Sequence, residues 1–131
     1  MPPRPEIAVR DAMSPDVLTI HPDETMQEAA RQMAERKAGS AVVVDPRRPW
    51  PGIVTERDLL QAIADGKQPE SEPVGEHETK SIVFAAPGWP LGRAAATMIR
   101  GRFRHLVVVD GRRPIGMLSM HDIVRSWVRG G

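Results

Sequence analysis

The chain of 131 residues contains one pattern twice, and this internal repeat constrains its fold more than any other feature. The stretch GIVTERDLL begins at Gly52, and GMLSMHDIV begins at Gly116. Each runs Gly, two apolar residues, a hydroxyl residue, two variable residues, Asp and more apolar residues. The run AVVVD before the first copy matches LVVVD before the second. Two similar units therefore account for nearly the whole chain, with a polar segment between them.

Each repeat predicts the element order β-α-β-β-α, from short β-branched runs and from helical stripes of apolar residues. The predicted elements are 17–20, 25–38, 42–44, 53–55 and 56–64 in the first repeat and 82–85, 90–101, 107–109, 115–119 and 120–128 in the second. The apolar runs 42–44 and 107–109 indicate strands that are covered on both faces. Thr25 with Glu28 predicts a capping box, and Gly39 stands where a helix C′ glycine would.

The predicted fold class is α/β with an α+β-like character, in which two such repeats pack with pseudo-twofold symmetry. The predicted domains are residues 7–66 and 74–131, and residues 67–73 form the linker between them.

The hydroxyl and the Asp of the repeated motif allow two interpretations. Thr55 with Asp58, and Ser119 with Asp122, each match a capping box that only begins a helix. The motif also lies at a strand-to-helix junction, where free amides and the helix dipole favour an anion. Such a site could hold a phosphate, and the carboxylate could accept the hydroxyls of a ribose. The motif therefore describes either a helix cap or half of a nucleotide site.

Composition excludes several classes of function. The chain has no cysteine, so disulfides, thiolate catalysis and cysteine-bound zinc are absent. No apolar run approaches a membrane span, so no membrane partner is expected and a cytoplasmic location is the default expectation. The histidines lack the spacing of a metal motif, and no catalytic triad is indicated. The chain is therefore not expected to be an enzyme, and no metal site is predicted.

The repeated β-α-β-β-α order, the stretch RHLVVVD and the two G-h-h-T/S-x-x-D-h motifs resemble CBS domains, which are named after cystathionine β-synthase. A tandem pair of these domains is a Bateman module, and the resemblance covers roughly residues 7 to 129. It implies regulation rather than catalysis, with AMP, ADP, ATP, NAD or S-adenosylmethionine bound in clefts between the two domains. No cofactor is required, although Mg²⁺ could accompany ATP.

The resemblance also implies two composite sites, which we name site A and site B. Site A would combine Ile53, Thr55, Arg57 and Asp58 with Ala85, Leu91, Phe103 and Arg104. Site B would combine Met117, Ser119, His121 and Asp122 with Ile20, Met26, Ala38 and Gly39. In both, Asp would hold the ribose, the hydroxyl residue and the neighbouring cation would face phosphate, and the apolar residues would flank adenine. Site B lacks the cation that Arg104 gives site A, so the two sites are expected to differ.

Partners are predicted less directly. The resemblance implies a homodimer, to which Trp127 on the last helix could contribute, and an effector protein of unknown identity. The stretch RGRFRH at Arg100 could be a nucleic-acid patch, but a formal net charge of +1 makes this partner the less favoured one. The main prediction is a ligand-sensing regulatory module. The alternatives are a structural dimerisation module without ligand and a nucleic-acid-associated module.

Overall fold

Residues 6–80 and 82–130 are described by the structure, which is a computed structural model. These residues form two compact units. The first unit runs from Leu18 to Ile82, and the second unit combines the chain up to Val17 with the chain from Val83 onward.

The first unit holds a three-stranded sheet in the order β1-β2-β3. Its elements are β1 (Thr19–Ile20), α2 (Met26–Arg36), β2 (Ser40–Val43), β3 (Gly52–Thr55) and α3 (Glu56–Ala64). The pair β1–β2 is parallel, and β2–β3 is antiparallel with Ser40 opposite Thr55. Its core includes Met26, Met33 and Val54.

The second unit repeats this order. Its sheet is β4-β5-β6, with β4 (Phe84–Ala85), α4 (Leu91–Gly101), β5 (His105–Asp110), β6 (Arg113–Ser119) and α5 (Met120–Gly130). His105 lies opposite Ser119, as Ser40 lies opposite Thr55 in the first unit. Across the described residues there are five α-helices and two three-stranded sheets, so the predicted mixed α/β fold is confirmed.

The segment that leads into each repeat packs with the other repeat. A short helix, α1 (Val9–Ala12), lies in the second unit, and a 3₁₀ turn, Val74–Glu76, lies in the first. Val9 and Val74 are both fully buried. The carbonyl of Glu72 accepts from the Met26 amide at 2.9 Å, and the carbonyl of Ile7 accepts from the Leu91 amide at 2.8 Å. The segment 67–73 lies within the first compact unit, and its role as a linker between the two domains stays a prediction.

Several local predictions differ from the structure. Gly39 is not the left-handed residue after α2, because Lys37 takes that conformation with φ 54°. Strand β2 ends at Val43, and Val44 is 38% exposed, so the run is not covered on both faces throughout. Thr25 does cap α2, but the Glu28 carboxylate accepts from the Thr25 hydroxyl at 3.1 Å rather than from the backbone amide.

Candidate functional site

The first copy of the repeated motif forms a complete capping box at the start of α3. The Thr55 hydroxyl accepts a hydrogen bond from the Asp58 amide at 3.3 Å, and the Thr55 amide donates to Asp58 Oδ2 at 2.8 Å. The hydroxyl also donates to the same Oδ2 at 3.0 Å. Within the part of the chain that the structure describes, Asp58 Oδ1 accepts no hydrogen bond. The capping interpretation is therefore correct, and it occupies only one of the two carboxylate oxygens.

The second copy begins α5 in the same way, with one difference. The Ser119 hydroxyl accepts from the Asp122 amide at 3.1 Å, and the Ser119 amide donates to Asp122 Oδ2 at 2.8 Å. Asp122 Oδ1 accepts from the Arg125 guanidinium at 2.7 Å. Asp122 is buried, with 7% of its surface exposed. Both oxygens of this carboxylate are therefore engaged.

The glycine that opens each motif is explained by a neighbouring segment of chain. A Cβ atom on residue 52 would collide with the Glu78 carboxylate and would lie 3.0 Å from the Thr79 carbonyl oxygen. A Cβ atom on Gly116 would lie 3.1 Å from the Ser14 carbonyl oxygen. Thr79 and Ser14 pair in the antiparallel sense with the motif strands β3 and β6. The group that approaches each motif glycine closely is therefore a neighbouring segment of the same chain, and a bound ligand is not needed to explain the glycine.

A basic residue precedes the aspartate in each motif. Arg57 and His121 both lie in the first turn of a helix and are exposed. The Arg57 charge is unfavourably placed against the dipole of α3. Because both side chains are exposed, an anion from solution can reach them.

The second unit contains a cavity of about 660 Å³ where the end of α4 meets the start of α5. Phe103, Arg104, Ser119 and His121 line it, all of which were predicted site residues. Its remaining lining residues are Met98, Ile99, Arg102, His105 and Met120. Of these, Arg102 and His105 are polar, and His105 is a residue that the prediction missed, although it lies in the stretch RGRFRH. The cavity therefore combines an apolar wall with basic groups and a hydroxyl.

Backbone conformation positions the basic residues of this cavity. Helix α4 ends at Gly101, and Arg102 follows in the left-handed conformation with φ 60°. A Cβ atom on Gly101 would collide with the Phe103 ring, so the glycine allows that ring to pack against the helix end. Phe103 also packs against the core of the second unit. The ring is therefore committed to packing rather than displayed for stacking on a nucleic-acid base.

His105 is the half-buried titratable group of the cavity. Burial lowers the pKa of His105 below its ordinary value of 6.5. The charge of Arg104 also lowers this pKa, whereas the Asp122 carboxylate raises it and offsets part of the shift. Desolvation has the largest effect, because it disfavours the charged imidazolium.

The equivalent cavity of the first unit has a volume of about 500 Å³ and a different character. Ala38, a predicted site B residue, lines it, together with Lys37 and Glu56. Its other lining residues are apolar: Ala30, Met33, Ala34, Leu59, Leu60 and Ile63. The charges of Lys37 and Glu56 balance each other, so this cavity lacks the excess of basic groups that the cavity of the second unit has.

The remaining predicted residues are mostly core residues. Ile20 and Met26 belong to the core of the first unit, and Ala85 and Leu91 belong to the core of the second. Ile53 is 7% exposed, whereas Met117 is partly buried and Gly39 is exposed. The combination of residues from both units in sites A and B stays a prediction.

Two structural features are absent from the described residues 6–80 and 82–130. None of their helices is long and apolar enough to cross a membrane. No group of three or more His, Asp or Glu side chains among them is arranged to hold a metal ion.

The comparisons identify the family. The CBS domain model matches residues 9–65 and 74–129, and the chain therefore belongs to the CBS domain family as a tandem pair. CBS domains are generally regulatory, non-catalytic modules. The CBS domain-containing protein YhcV of Bacillus subtilis is 31% identical over 117 residues, which are 88% of this chain and 82% of YhcV. The chain spans only 41% to 66% of the length of the first curated relatives that it matches.

Solved structures agree with this assignment. The CBS domain pair of protein MJ0100, in complex with 5′-methylthioadenosine and S-adenosylmethionine, matches with a TM-score of 0.85 and 26% identity. The match covers 97% of this chain and 100% of that chain. The hexameric CBS-CP12 protein from bloom-forming cyanobacteria matches with a TM-score of 0.84 and 28% identity, over 92% of this chain and 71% of its own. The chain therefore has the fold of a regulatory ligand-binding module.

Proposed function

We propose that this chain is a regulatory module that binds an adenosine-containing nucleotide at site A and passes the change to a partner protein. The unoccupied oxygen of Asp58 carries the proposal. A ribose offers two hydroxyl donors, and a carboxylate with a free oxygen can accept them. The bound 5′-methylthioadenosine and S-adenosylmethionine of the MJ0100 pair support an adenosine ligand, because both contain that ribose.

Charge favours a ligand with phosphates. Of the site A residues, Arg57 is exposed, and Arg104 lines the cavity of the second unit beside Arg102. Guanidinium groups bind phosphate oxygens through paired hydrogen bonds. S-adenosylmethionine has one carboxylate, but its sulfonium and ammonium make its net charge positive, so basic groups favour it less than a phosphate-bearing nucleotide. AMP, ADP, ATP and NAD are therefore the preferred ligands, with Mg²⁺ accompanying ATP.

The cavity of the second unit holds the site A residues Phe103 and Arg104 but not Asp58, and its size suits part of such a ligand. Small-molecule pockets commonly enclose about 300–1,000 Å³ and place a few polar groups on an apolar lining. At about 660 Å³, the second unit's cavity falls within that range. Ile99, which lines the cavity and is 69% exposed, would give adenine an apolar surface.

A thermal-shift panel tests this function. AMP, ADP, ATP, NAD and S-adenosylmethionine are each added with and without Mg²⁺ to the wild type and to Asp58→Asn. Asparagine keeps an oxygen for the Thr55 amide, so the helix cap survives while the carboxylate is lost. A ligand at about 100 times its Kd adds about 2.7 kcal/mol to the free energy of unfolding, which raises Tm by several degrees. We expect a shift with a phosphate-bearing ligand and a much smaller shift in the variant.

Other outcomes would favour the other classes of function. If no ligand shifts Tm, the chain is a structural module whose motifs serve only as helix caps. Salt-sensitive binding of an oligonucleotide would instead indicate a nucleic-acid-associated module.

Assembly is proposed to be a homodimer. On α5, Val124, Trp127 and Val128 are exposed at helical spacing, with exposures of 52%, 43% and 76%. On α3, Leu60 and Ile63 are exposed at the equivalent positions of the first repeat. Exposed apolar stripes of this kind mark contact surfaces. A second copy of the chain would cover the stripes, and the effector protein would sense the ligand through the dimer.

A further inference from the structure

The residue three positions after the aspartate distinguishes the two motifs. It is Gln61 in the first copy and Arg125 in the second. Gln61 turns away from the motif and donates to Asp65 at 3.0 Å. Arg125 turns toward the motif and donates to Asp122 at 2.7 Å. The same helical position therefore leaves one carboxylate open and covers the other.

The pairing at Asp122 is difficult for a ribose to replace. The hydrogen bond joins two charged groups, which makes it stronger than a bond from a neutral hydroxyl. Asp122 is only 7% exposed, whereas the Arg125 side chain is 43% exposed. A ribose that reached Asp122 Oδ1 would compete with the guanidinium for that oxygen, and displacing the guanidinium would leave a buried carboxylate without its charged partner. At Asp58 the ribose meets an oxygen that no described residue uses.

We infer that Arg125 closes the second motif to ribose, so that each chain binds one adenosine nucleotide, at Asp58, instead of two. This inference rests on the proposed function and adds the residue that sets the stoichiometry. Arg125 is a specificity-determining residue, since it touches the carboxylate and not the ligand. On this inference, arginine in place of glutamine at this one helical position converts an open motif into a closed one.

A reciprocal exchange of these two residues tests the inference. Arg125→Gln gives the second motif the side chain of the first, and Gln61→Arg does the reverse. Isothermal titration calorimetry with AMP, and separately with ATP and Mg²⁺, measures the number of sites per chain. We expect one site in the wild type, two in Arg125→Gln and none in Gln61→Arg. In the double exchange we expect one site, which now lies at Asp122. Adding Asp122→Asn should abolish this site, whereas adding Asp58→Asn should leave it unchanged.

The controls separate this inference from the proposed function. Circular dichroism and urea unfolding establish that each variant is folded before titration. Two sites in the wild type, or one site in Arg125→Gln, would overturn the role of Arg125 while leaving nucleotide binding intact. A single wild-type site that survives Asp58→Asn would do the same. An absence of heat with every ligand in the wild type and in Arg125→Gln would overturn the proposed function itself.

Discussion

Gly52 lies directly against the buried carboxylate of Glu78. The Glu78 side chain is 1% exposed and pairs with Arg48 at 2.8 Å, so it cannot easily turn away. The Thr79 carbonyl closes the same space from the backbone side. The motif glycine is therefore required for packing, independently of any ligand.

Gly52→Ala should destabilise the protein by about 1–3 kcal/mol, because the added methyl group overpacks a site held by an ion pair and by backbone. Gly92→Ala is the matched control. A Cβ atom there meets nothing within 4 Å, and alanine favours α4 by about 0.5–1 kcal/mol. Urea denaturation measures both free energies. Equal effects of the two substitutions would contradict the packing role of Gly52.

The cap at Thr55 gives a second prediction. Thr55→Ala removes the hydroxyl that accepts from the Asp58 amide and should cost about 1 kcal/mol of stability. Thr55→Ser keeps the hydroxyl and should therefore retain most of the stability that the cap contributes. If Thr55→Ser loses as much stability as Thr55→Ala in urea unfolding, the hydroxyl is not the stabilising group.

The segment around Val74 gives a third prediction. Val74 is fully buried in the first unit, so Val74→Ala should cost roughly 1.5–3 kcal/mol from lost burial and from the cavity left behind. Val44→Ala is the control, since Val44 is 38% exposed and should lose much less. A freely moving linker would make Val74→Ala silent in chemical denaturation, which is the result that would refute this packing.

His105 gives a prediction about pH. Its pKa in the folded state lies below 6.5, so the unfolded chain binds the proton more readily. The contribution of this group to stability is therefore complete above pH 6.5 and is lost as pH falls toward the lower pKa of the folded state. NMR titration of the imidazole measures that pKa. A fall of stability below pH 6.5 should be smaller in His105→Gln.

Two neighbours should move the His105 pKa in opposite directions. Asp122→Asn removes the charge that raises it, so the pKa should fall further. Arg104→Gln removes a charge that lowers it, so the pKa should rise. Shifts of the same sign in both variants would show that direct charge interactions do not set this pKa.

The exposed stripe of α5 gives a prediction about assembly. Val128→Glu places a charge on a residue that is 76% exposed, so it should dissociate the proposed homodimer without unfolding the chain. Gln68→Glu makes the same change of charge on an exposed residue outside the helices and serves as the control. Light scattering after size-exclusion chromatography measures the mass. A dimer that persists in Val128→Glu places the interface elsewhere.

The sequence by itself determined the order of the elements and the caps of the repeated motif. The helix over Glu56–Ala64 was predicted to the residue, because a hydroxyl cap at Thr55 and an apolar period of the helix are both local signals. Thr25 and Ser119 likewise began helices where they were expected to. Such features depend on residues within a few positions of each other, so a single sequence contains them.

Only the tertiary structure decided features that depend on distant residues or on competing local choices. The burial of Val9 and Val74 in the unit of the other repeat depends on contacts between distant parts of the chain, and no local pattern encodes them. Lys37 and Arg102 end their helices in the left-handed conformation that glycine normally takes, and their amides donate to carbonyls of the last helical turn. The sequence also did not predict that Arg125 turns toward Asp122. The direction of a side chain depends on the charges and the space around it, and residue spacing along the chain does not determine it.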